Sequence, residues 1–121
     1  MNASEHMLGG VIATTLTYLV ASAAAGESPT LGGFLTAAVV GIPAGLALDL
    51  IEPAIHPHHR GPAHSVVAFA GLAALANNLW CDGTVVPQAK VWGLVALAGV
   101  GSHHILDATT ARGLPLSGIR L

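Results

Sequence analysis

Histidines and carboxylates at coordinating distances in sequence are the residues of this chain best suited to chemistry. His103 and Asp107 stand four positions apart in an apolar stretch. On a helix that spacing stacks two side chains on one face, where both reach a common ion. The segment His56-Pro57-His58-His59-Arg60-Gly61-Pro62-Ala63-His64-Ser65 gathers four histidines, an arginine and a hydroxyl. Its Gly61-Pro62 turn allows His59 and His64 to converge. Neutral imidazole is the commonest nitrogen ligand of zinc and related metals, and Asp or Glu completes such spheres. Asp49 and Glu52 lie where an apolar stretch runs into this segment, and Asp49 is expensive in hydrocarbon without a cationic partner. His6 stands near the N-terminus. Each feature has a plain alternative. A polar pair at a helix end can sit in the membrane interface, a histidine-rich tract can titrate near headgroups, and Arg60 can touch anionic lipid. His104, beside His103, is expected to point elsewhere and to be solvated.

The elements that must carry these residues are set by composition. Of 121 residues, 53% are apolar and 8% charged, against roughly 45–50% and 25% in soluble domains. That balance points to a single membrane domain over residues 1–121. A soluble fold of this composition would need a core of small side chains and a nearly uncharged, aggregating surface. Abundant Ala and Gly suit close helix packing in lipid. Four basic residues and a net charge of −2 exclude a nucleic-acid binder and a polybasic surface protein. The one cysteine, Cys81, excludes a disulfide framework and a cysteine-rich zinc site. The N-terminal segment lacks a basic n-region and reads as a retained first helix.

Four apolar stretches, residues 7–25, 31–50, 65–80 and 91–106, predict an all-α integral membrane bundle of about four transmembrane helices. Short polar turns separate the first pair and the last pair. The intervening segment 52–64 contains Pro53, Pro57 and Pro62 and is expected to be a structured loop. Pro43 lies within the second stretch, with Gly41 and Gly45 beside it to ease a kink. Four crossings bring the N-terminus, the 52–64 loop and the C-terminus to one side, and every histidine with them. Independent causes would have scattered histidines to both sides. Three of the four basic residues lie there too, which orients the site to the cytoplasmic side of the membrane.

The segments His59-Arg60-Gly61-Pro62-Ala63-His64-Ser65 and Ser102-His103-His104-Ile105-Leu106-Asp107-Ala108-Thr109-Thr110, followed by Gly113-Leu114-Pro115-Leu116, resemble the YdjM-like family. Its members are inner-membrane proteins described as metal-dependent hydrolases and as LexA-binding. The resemblance covers nearly the whole chain. It implies a small helical membrane protein whose site positions correspond to His6, Asp49, His59, His64, His103 and Asp107. In two places the chain departs from the family pattern. Ala63 stands where Thr is usual, and the family's D-x-D motif is reduced to Asp49 with Glu52 three residues later, which either alters the number of metals or makes Glu52 a substitute ligand.

The resulting expectation is a metal-dependent hydrolase at the membrane surface. His6, Asp49, His59, His64, His103 and Asp107 hold one or two divalent ions, with zinc first. Asp49 or Glu52 accepts a proton from the attacking water, and Arg60 steadies an anionic group. The expected partners are the lipid bilayer and a lipid headgroup or other phosphoester substrate, and homo-oligomerisation is compatible with the small-residue helices. The alternative is a non-enzymatic scaffold or partner subunit stapled by its metal. An ion-conducting role fits poorly, because Thr14, Thr15, Thr17, Ser22, Asn77 and Asn78 read as helix-packing hydrogen bonds.

Overall fold

A computed structural model describes residues 2–52, 61–110 and 114. Among them are four α-helices and no strand: α1 (Ala3–Ala24), α2 (Leu31–Ile51), α3 (Val66–Cys81) and α4 (Pro87–Ala108), with a 3-10 turn at Pro62–His64 leading into α3. Two helices begin earlier than the apolar pattern alone predicts. At α1 a capping box does this, with Glu5 N–H donating to Asn2 Oδ1 at 3.0 Å and Asn2 N–H to Glu5 Oε2 at 2.9 Å. Helix α4 starts at Pro87, which has no N–H to lose at the first helical position. Ser65 caps α3 by accepting from Ala68 N–H at 3.0 Å. Helix α2 continues through Pro43.

Helix α4 meets the other three helices, α1 packs on α2 and α4, and α3 packs on α4 and the 3-10 turn. The α1–α2 crossing is possible because both backbones are bare where they meet. A Cβ at Gly41 would lie 2.5 Å from Thr14 Oγ1 and 2.6 Å from the Gly10 carbonyl, and one at Gly10 or Gly45 would overlap the facing backbone. Only glycine allows this approach. It sets His6, one turn before Gly10, against the Gly45 end of α2.

The radial distribution of polarity is inverted relative to a soluble bundle. Thr14, Thr15, Ser22 and Ser102 are buried, whereas Leu8, Leu16, Val20, Leu35 and Val39 are more than half exposed. The buried hydroxyls are satisfied locally: Thr14 donates to Gly10 O at 2.9 Å, Thr15 to Val11 O at 2.8 Å and Ser102 to Gly99 O at 2.7 Å. They bond within their own helices rather than across the interface. Two helices, α1 and α2, are long and apolar enough to cross a membrane. At 16 residues, α3 extends about 24 Å, short of a hydrocarbon core of about 30 Å, and α4 carries Gln88, Lys90, His103, His104 and Asp107. The expectation of four transmembrane helices therefore corresponds to four helices of which two meet the length and composition for a span.

Candidate metal centre

At one end of the bundle the first turn of α1, the last turns of α2 and α4, and the 3-10 turn bring five of the expected ligands together. His6, His64, His103 and Asp107 are each at most 3% exposed, and Asp49 is the one whose side chain is substantially open, at 31%. His103 is the hub. Its Nε2 lies 3.4 Å from Asp49 Oδ1 and 3.4 Å from Asp107 Oδ2, the second contact following from the i, i+4 spacing along α4. His64 Nε2 approaches the same Asp49 Oδ1 at 3.3 Å, and His6 Nε2 lies 3.6 Å from Asp107 Oδ1. The His6 and His103 rings stack in parallel, 3.7 Å between centroids and 5° between planes. Two triads result, His6–Asp49–His103 and His64–His103–Asp107, each with ligand atoms within 4.8 Å of one another.

The opposite ring nitrogens fix how these imidazoles are used. His103 Nδ1 is 2.8 Å from the Gly45 carbonyl oxygen, which can only accept, so Nδ1 carries the proton. His103 Nε2 then faces two carboxylate oxygens that also only accept. His64 repeats the pattern, with Nδ1 donating to Glu52 Oε2 at 2.6 Å and Nε2 facing Asp49. Such a convergence of acceptors needs positive charge at its centre, either a proton on the imidazoles or a metal cation. The parallel contact of His6 with His103 disfavours charging both rings. Ligating histidines characteristically donate their other N–H to a carbonyl or carboxylate, as His103 and His64 do here, so the donor set fits a divalent ion.

The surroundings hold the turn in place. Glu52 accepts from His64 through one oxygen and from Ala63 N–H through the other at 3.0 Å. Burial pushes the Glu52 carboxyl pKa up, but the hydrogen bonds from His64 and Ala63 outweigh this and hold it below the ordinary carboxylate range. Glu52 was expected to serve as a proton acceptor or substitute ligand, and in the structure both its oxygens face the 3-10 turn. Gly61 passes so close that a Cβ there would sit 2.5 Å from Glu52 Oε1. His104, expected to be solvated, is 1% exposed. Its Nε2 is 2.9 Å from the Ala63 carbonyl, and its ring lies 5.5 Å from that of Phe69. One residue beyond His103, it faces α3 rather than α1, and it clamps the turn that bears His64.

The structure therefore brings together His6, Asp49, His64, His103 and Asp107, with Glu52 behind them. His59 and Arg60, with the rest of the histidine-rich segment, lie outside the described residues. The roles of Gly45, Gly61 and His104 were not apparent from residue type. The one sequence signal for His104 was its adjacency to His103, which on a helix directs it to a neighbouring face. Comparison with curated proteins and with solved structures returned no match. The family model of the YdjM inner membrane protein matches residues 1–117, and the chain belongs to that family.

Proposed function

We propose that this protein is a metal-dependent hydrolase of the membrane surface, acting on a phosphoester of the lipid headgroup layer. The observation that carries the reading is the hub at His103, whose Nδ1 is held by the Gly45 carbonyl while its Nε2 faces two carboxylates. His6, Asp49, His64, His103 and Asp107 would hold one or two divalent ions, zinc first, with His59, which lies outside the described residues, as a further proposed ligand. A bound ion would supply Lewis acidity and would acidify water. Asp49, the most open of the carboxylates facing the centre, accepts the proton. Glu52 is a positioning residue that holds His64 in the tautomer with Nε2 facing inward. Arg60, next to the turn in sequence, steadies the anionic group.

All four helices cross the bilayer in this reading, with α3 short and α4 shielding its polar end among its neighbours. The apolar exterior and polar interior support it, as does the arrangement of all the described histidines at one end. The three basic residues Arg60, Arg112 and Arg120 accompany that end in sequence and orient it to the cytoplasm. A second reading, a scaffold stapled by its metal, is favoured by the near-complete burial of four ligands, since structural sites are closed and catalytic ones keep an open position. The two are separated by assaying phosphate or headgroup release from phosphatidylglycerol and phosphatidylethanolamine in mixed micelles. The hydrolase reading expects turnover that falls about 10²- to 10⁴-fold in Asp49→Asn. Metal-loaded protein without turnover leaves the scaffold. Unchanged metal content and unchanged hydrolysis in His64→Ala, His103→Ala and Asp107→Ala refute the site.

A further inference from the structure

The end of the bundle opposite the metal centre contains a second polar feature. A cavity of about 400 Å³ opens there between α1, the turn after it, and the starts of α2 and α4. One wall is aromatic, with the Tyr18 and Trp92 rings 5.2 Å apart and inclined at 28°. Tyr18 is fixed from behind, its hydroxyl accepting from Thr30 N–H at 3.0 Å. The remaining polar lining comes from Ser22, Glu27, Ser28, Thr30 and Gln88. Ser22 is 2% exposed, so the cavity reaches into the packed part of the bundle.

Charge gives the cavity its preference. Glu27 is its one ionisable carboxylate, none of the described lining residues is basic, and Glu27 forms no ion pair among the described residues. The nearby cation in sequence, Lys90, is committed to the Trp80 carbonyl at 2.8 Å. A half-buried tryptophan, backed by the stacked Tyr18, beside a carboxylate with no ion-pair partner among the described residues is the chemistry that recognises organic ammonium groups. The hydroxyls and the Gln88 amide add acceptors for N–H groups.

We infer that the cavity bounded by Tyr18, Trp92 and Glu27 binds an organic ammonium group, supplied either by a small free amine or by the amine of a lipid headgroup. This site is independent of the metal centre. Trp92 in the wall is its reporter. In the full chain carrying Trp80→Phe, Trp92 is the remaining tryptophan, and its emission is followed in detergent against ethanolamine hydrochloride and tetramethylammonium chloride. Sodium chloride and sodium phosphate at matched ionic strength are the controls. The same protein is compared in nanodiscs of phosphatidylglycerol with and without phosphatidylethanolamine. The expected result is a saturable change with the ammonium probes, or on inclusion of phosphatidylethanolamine, weakened about tenfold or more by Glu27→Gln. A response to the soluble amines identifies a free amine as sufficient, and a response confined to phosphatidylethanolamine identifies the headgroup. Glu27 lies in an exposed turn after α1, so Glu27→Gln retains the fold, which circular dichroism verifies. The inference is overturned by no saturable response in either setting, by equal responses to sodium chloride, by an equal response in Glu27→Gln, or by saturation with phosphate instead.

Discussion

His103 shows how much a single side chain decides. Its type and its spacing from Asp107 were legible in the sequence, because both follow from helix periodicity. The carbonyl that assigns its tautomer was not, since Gly45 is 58 residues away and offers only backbone. Glu52 is the converse case. Its acidity drew attention, but its role depends on a turn that no periodic pattern describes. Replacing Glu52 by Gln removes the carboxylate behind His64, and metal affinity is expected to fall roughly 10- to 100-fold, measured by competition with a chelating dye. The sign of the acid dependence follows from the same contact. A carboxyl held below its ordinary range stabilises the fold above that range and loses the contribution as pH falls through its lowered value, so Glu52→Gln is expected to flatten the acid limb of a stability profile. Gly61→Ala places a Cβ against Glu52 Oε1 and is expected to lower metal affinity in the same direction.

At the scale of elements, helix existence was readable because long apolar stretches bounded by Pro, Gly, Ser and Thr have few alternatives. Helix starts were read less well at α1 and α4. Asn2, Glu5 and Pro87 extend them by local capping chemistry rather than by hydrophobicity. Which helices touch most closely was not readable at all, because Gly10, Gly41 and Gly45 look like composition until two backbones are seen to share their space. The α1–α2 crossing is what delivers His6 to His103. Gly45→Ala is therefore expected to destabilise the bundle by about 1–3 kcal/mol through overpacking and to weaken metal binding with it. Gly83→Ala, at a position with open space, is the control. Thermal unfolding in detergent, followed by circular dichroism, measures both.

For the whole molecule, the sequence predicts that four traverses would collect the histidines at one end, and the described ones, His6 in α1, His64 in the 3-10 turn and His103 and His104 in α4, lie together there. A topology experiment tests the four-span reading directly. In that reading Cys81, at the end of α3 away from the metal centre, and a cysteine at Asn2 in a Cys81→Ser background react with an impermeant maleimide from opposite sides of the membrane. Labelling of both from one side contradicts it. The candidate metal centre is the product of the entire fold, since its candidate ligands come from α1, α2, α4 and the turn before α3. Elemental mass spectrometry of detergent-purified protein measures it most directly. Stoichiometric divalent metal is predicted in the wild-type chain and in Cys81→Ser, and its loss is predicted in both His64→Ala and His103→Ala. Wild-type protein that is metal-free and does not take up added Zn or Mn would contradict the account.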